Sequence, residues 1–107
     1  MPKKAVFVKD YYIPEYNFTI PKGTEAECKG KYVDVLINCR EISLSEDIIT
    51  DDGAFKMHYI TSDDKVFNPG DKVEVVRILA DIDCEYGFGC VEISNVMITD
   101  ELDPKPS

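Results

Sequence analysis

Tryptophan is absent from this chain, histidine occurs once and arginine twice, and no apolar run approaches the roughly 18 residues that a membrane span needs. Each shortage removes a class of function. A single histidine, His58, leaves acid–base catalysis to carboxylates or lysines shifted by burial, and no nucleophile, base and orienting group assemble around it. The chain therefore reads as non-enzymatic. Arg40 and Arg77 are too few to neutralise a run of phosphates, so direct nucleic-acid binding is not expected. Leucine and alanine together number 8, against 21 valines and isoleucines. The β-branched chains lose χ1 freedom in a helix and pack well on a pleated sheet, which predicts a mostly β protein.

What is present bounds the rest. With 107 residues, 44% of them apolar, the chain is hydrophobic enough for a packed core and short enough for one domain or two very small ones. The opening Met1-Pro2-Lys3-Lys4 and Ala5-Val6-Phe7-Val8 lack the apolar length and small-residue cleavage site of a secretion signal, so a cytoplasmic protein without a membrane partner is expected. Alternation sets Val33, Val35 and Ile37 opposite Tyr32, Asp34 and Leu36, and Val73 and Val75 opposite Lys72 and Glu74. Turn chemistry recurs roughly every ten residues, at Pro21-Lys22-Gly23, Lys29-Gly30-Lys31, Asp51-Asp52-Gly53, Ser62-Asp63-Asp64, Asn68-Pro69-Gly70-Asp71 and Gly87-Phe88-Gly89. That spacing belongs to a barrel or sandwich, mainly antiparallel. One short helix is allowed near 43–50, where Ser43 and Glu46 have the form of a capping box closed off by Asp51-Asp52-Gly53. On an assumed strand from Phe55 to Ile60, Phe55, Met57 and Tyr59 share one face and His58 faces solvent.

Cys39-Arg40-Glu41-Ile42-Ser43 recurs as Cys90-Val91-Glu92-Ile93-Ser94. The echo reads either as a duplication or as two hairpins of one barrel that share turn chemistry. On the first reading, residues 1–50 form one β half, residues 51–103 a second, acidic half, and residues 104–107 a frayed tail. Ala5-Val6-Phe7 through Asp10-Tyr11, Phe18-Thr19-Ile20-Pro21-Lys22-Gly23-Thr24 and Phe67-Asn68-Pro69-Gly70-Asp71-Lys72-Val73 resemble short motifs of the Src-homology-3-like small barrels. The resemblance implies a small barrel, or two packed small barrels or half-barrels. Peptide-binding members line a groove with tryptophan and tyrosine; this chain has no tryptophan, and Tyr11, Tyr12 and Tyr16 either form an aromatic patch or cap the core with their hydroxyls in water.

Cys28, Cys39, Cys84 and Cys90 do not have the close pairing of a zinc knuckle, and without a secretion signal free thiols are expected, with no disulfide, metal or cofactor. Asp81, Asp83 and Glu92 sit at calcium-loop spacing, but Tyr86 stands where that loop needs glycine and the flanks read as strand. A metal-assisted hydrolase built on those three acids is the remaining enzymatic alternative.

Charge placement carries the most functional content. The net charge is −9, divided at Thr50 into −1 and −8. A strongly acidic surface attracts basic partners, and outward acids about 5 Å apart across a sheet and about 7 Å along it approximate the spacing of nucleic-acid phosphates. The nominated contact residues are Asp81, Asp83 and Glu85 on a strand, Asp51, Asp52, Asp63 and Asp64 in loops, and Tyr86 and Phe88 as aromatic anchors at a hairpin tip. The reading is a binding protein whose acidic, aromatic-tipped surface occupies the basic groove of a nucleic-acid-binding enzyme or nuclease, resembling in type the phage-encoded anti-CRISPR and anti-restriction inhibitors. The alternatives are acid that only keeps the chain soluble, and an adaptor barrel that docks by an open strand edge.

Overall fold

The computed structural model describes residues 3–99. It is an all-β protein of antiparallel sheets, compatible with a small barrel-like fold. The strands are β1 (Lys3–Phe7), β2 (Tyr11–Ile13), β3 (Phe18–Ile20), β4 (Glu25–Ile37), β5 (Arg40–Ser45), β6 (Tyr59–Ile60), β7 (Val66–Phe67), β8 (Glu74–Cys84), β9 (Gly87–Glu92) and β10 (Val96–Thr99). Single 3-10 turns lie at Pro14–Tyr16 and Ile93–Asn95. The main sheet runs β10-β1-β4-β8-β9 with β5 also on β4, while β2-β3 and β6-β7 are separate ribbons. The expected frayed tail at 104–107 lies outside the described residues.

The chain parts into two compact units, Met1–Gly30 with Ala80–Ser107, and Lys31–Leu79. The boundary expected near residue 50 thus falls inside the second unit. The long strands β4 and β8 each continue from one unit into the other, so a linear cut between them separates no core.

In the first unit, β1 lies between β10 and the start of β4, pairing Ala5 with Ile98 on one side and Ala26 on the other. Ala5 and Phe7 alternate inward with the strand period and join Ile20, Cys28, Ala80, Ile82, Val91 and Val96 in one buried cluster. The β2-β3 ribbon closes through the Pro14–Tyr16 turn, where proline's fixed φ starts the turn and Asn17 ends it in the left-handed region at φ 49°. Ile13 and Phe18 face each other across the ribbon as a result.

In the second unit, β4 and β5 form a hairpin whose two turn residues, Asn38 and Cys39, both have positive φ, matching the strands' right-handed twist. The alternation expected of β4 is present: Val33, Val35 and Ile37 are buried with Leu44, Ile49, Phe55 and Phe67, while Tyr32 and Leu36 are exposed. Asp34 is the exception on the outer face, only 8% exposed, its carboxylate accepting from Arg77 at 3.0 Å. No helix forms at 43–50. Ser43 is inside β5, and the turn starts at Ser45, whose carbonyl accepts from the Ile48 N–H and whose Oγ accepts from the Asp47 N–H. The capping chemistry acts two residues later than the sequence suggests because β5 pairs with β4 through Ser45. The strand assumed over Phe55–Ile60 is also shorter than its pattern, being regular only at Tyr59–Ile60; Met57 consequently is exposed, apart from buried Phe55.

Along β8 the buried side chains change parity. Val73 and Val75 pack inward before the shift, and Ile78, Ala80 and Ile82 after it. Between them Val76 is exposed and Arg77 is half-buried.

Candidate functional site

The first unit contains an open cleft of about 910 Å³. One side comes from the β2-β3 ribbon and its turn, with Tyr11, Ile13, Glu15, Tyr16 and Phe18; the other comes from the β8-β9 hairpin, with Cys84, Tyr86, Phe88 and Cys90. The floor is core: Phe7, Ile20, Ile82 and Val91 are buried. Alternation supplies part of the floor, since Phe7 is an inward residue of β1 and Ile82 of β8. Rings connect the two sides. Phe18 and Tyr86 lie with centroids 5.0 Å apart and planes tilted at 50°, and Phe7 contacts Tyr11 at 5.9 Å. At the rim, Phe88 is 85% exposed and Tyr16 79% exposed.

Polar chemistry in the cleft is sparse. Among the described lining residues Glu15 is the one charged group, and it has no ion pair or hydrogen bond there. The Tyr86 hydroxyl is held above its ordinary value of 10.0, first by its hydrogen bond to the Glu85 carboxylate and then by desolvation and that carboxylate's charge. Cys39 and Cys84 are free thiols, and Cys84 and Cys90 lie on the cleft wall.

The nominated residues are placed unequally. Tyr86 and Phe88 stand at the hairpin tip and line the cleft, with Glu85 beside them. Asp83 is paired with Lys29 at 3.4 Å, while Asp81 has no partner among the described residues. The other four acids belong to the second unit. There Asp51 pairs with Lys31 at 2.9 Å, Asp52 with Lys72 at 3.5 Å, and Asp63 with Arg40 at 3.1 Å. Asp64 sits at φ 70° in the turn closed by Thr61. Hydrogen bonds from Thr50 to Asp52 and from Thr61 to Asp63 are the main cause holding both carboxyls below the ordinary 3.8, with Lys72 and Arg40 adding their charge.

Two consequences follow for the acidic surface. Among the described residues the asymmetry of −1 and −8 along the sequence disappears in space: the first unit has 5 basic and 8 acidic residues, net −3, and the second 6 and 10, net −4. The first unit combines the two chain ends, so each half contributes to it. Of the seven nominated carboxylates, Asp51, Asp52, Asp63 and Asp83 already face a lysine or arginine. Asp81, Asp83 and Glu92 are likewise not gathered: among the described residues no group of three or more His, Cys, Asp or Glu side chains is placed to hold a metal ion.

Phe7, Phe18 and Glu15 escaped the sequence reading of the site. The Pro14-Glu15-Tyr16-Asn17 turn was the available signal, because it places Phe18 opposite Ile13 and Ile20 opposite Tyr11 on one ribbon. Tyr11 and Tyr16 do line the cleft, whereas Tyr12 points elsewhere and its hydroxyl donates to Asn17 Oδ1 at 2.9 Å.

The architecture is that of an all-β protein with an aromatic-lined cleft. No protein-family model matches the sequence, and neither a curated protein nor a solved structure does. Among the described residues no helix is long and apolar enough to cross a membrane.

Proposed function

We propose that this chain is a non-enzymatic binding protein whose contact surface is the aromatic cleft of the first unit and the hairpin tip Tyr86-Gly87-Phe88 beside it. The observation that carries this reading is the exposure of Phe88 and Tyr16 on opposite sides of the cleft, at 85% and 79%. Covering one such ring contributes about 1.5–3 kcal/mol, and clustered rings flanked by charges have the anatomy of an interface hot spot. The net charge of −9 selects and steers a basic partner. In its most specific form the partner is a nucleic-acid-binding enzyme whose basic groove is occupied and inhibited, inside the cell. Ion pairing of four nominated acids shifts the contact from a phosphate-like array towards the rings, with Glu15 in the cleft and Glu85 beside Tyr86 as the acidic rim.

The test is capture of a partner from lysate by the chain and by its Phe88→Ser variant, at low and high salt, with the captured protein then assayed in purified form. Binding that falls with salt and is lost in the variant supports the reading; a variant that binds unchanged overturns it. A second reading, docking by an open strand edge, is favoured by β10, which ends the sheet order and carries the exposed Met97. Salt-insensitive binding lost on Met97→Lys would select it.

A further inference from the structure

Resting on the reading of the cleft as a binding surface, we infer that the group anchored in it is an arginine side chain of a basic partner segment. The charge pattern points there. Six rings line the cleft, no described lining residue is basic, and Glu15, next in the chain to the exposed Tyr16, is a carboxylate without a partner among the described residues. An aliphatic anchor would satisfy the rings but would cover Glu15 without pairing it, which disfavours that occupant. A guanidinium answers both: it lies flat on an aromatic face and donates in a fork to a carboxylate. A lysine ammonium has no flat face and is more strongly hydrated, so it gives up more on entering an apolar cleft. A second copy of this chain is disfavoured by the charge of −9 that each copy carries.

The experiment uses the full chain and three capped tripeptides, glycine on both sides of arginine, lysine or citrulline, the last a neutral isostere of arginine. Binding is followed by NMR shifts of the aromatic rings and by intrinsic tyrosine fluorescence. The chain has no tryptophan, and three of its six tyrosines line the cleft. The arginine peptide is expected to shift Tyr16 and Phe88 saturably while leaving exposed Tyr12 unmoved. Citrulline should bind about fivefold to thirtyfold more weakly, with lysine between them. Glu15→Gln, a change at an exposed side chain, should erase most of the preference for arginine. Equal binding of citrulline and arginine at the rings overturns the arginine assignment and leaves the cleft as a binding surface. No saturable ring shift with the arginine peptide overturns the assignment too, and so does a concentration-dependent dimer that shifts the same rings. The Phe88→Ser capture experiment judges the cleft reading separately.

Discussion

Gly53 offers a measurement in which a single added methyl group separates backbone strain from steric overlap. Gly53 and Gly70 both lie in the second unit with nearly the same φ, +90° and +94°. Alanine at either must adopt a conformation that costs an L-residue about 1–2 kcal/mol. At Gly70 nothing lies within 4 Å of the new Cβ, so the cost ends there. At Gly53 the Cβ overlaps the Val73 carbonyl oxygen and stands 3.1 Å from Val75 Cγ2. The obstacle is backbone, and Gly53's own carbonyl accepts from the Val73 N–H at 2.9 Å, so moving the segments apart breaks the bond that joins them. Losing that bond contributes about 1 kcal/mol and overpacking against Val75 about 1–2 kcal/mol more. Gly53→Ala is therefore expected to destabilise by about 3–5 kcal/mol and Gly70→Ala by about 1–2 kcal/mol, against a typical domain stability of about 5–15 kcal/mol. Urea unfolding followed by far-ultraviolet circular dichroism measures both. Equal losses for the two variants would refute the overlap argument and leave only the shared strain.

Other predictions concern charge. Arg77→Met removes the partner of nearly buried Asp34, which bonds Arg77 through Oδ2 while its Oδ1 is buried without a hydrogen bond, so the melting temperature should fall further than for Lys72→Met at an exposed pair, and adding Asp34→Asn should restore part of the loss. Asp63 is held below 3.8 in the folded chain, so its stabilising contribution is present above that pH and is lost as pH falls through the lowered value. Thr61→Val, which removes the first cause, should move the Asp63 titration towards 3.8 by NMR more than Arg40→Gln does. Tyr86 is raised above 10.0, so its contribution is present below that pH and is lost as pH climbs through the raised value. Glu85→Gln should bring its phenolate absorbance transition back down; an unmoved transition would exclude the Glu85 hydrogen bond as the cause.

Much of the β architecture is legible in short stretches of chain. Stiff side chains at Val33, Val35 and Ile37 choose an extended backbone and its buried face together, because the strand period links the two. The hairpin tip bearing Tyr86 and Phe88 is equally local, since Cys84 and Gly87 border a two-residue turn. Local signals fail where pairing overrides them: Ser43 carries capping chemistry yet belongs to β5 because β4 offers it a partner in Asp34. Along β8, Val75 and Ile78 pack on one cluster and Ala80 and Ile82 on another, and no alternation pattern read as continuous reveals it.

The amino-acid sequence by itself determined that this is a β protein with aromatic residues at a turn and an excess of carboxylates, since these depend on each residue's own backbone preference and charge. Only the tertiary structure decided that Phe18 meets Tyr86 across a cleft, that residues 1–30 and 80–107 belong to one unit, and that four of the nominated acids face a cation. Those outcomes depend on contacts between residues tens of positions apart. The closure that brings such residues together is set by the burial of the whole chain and not by any stretch of it.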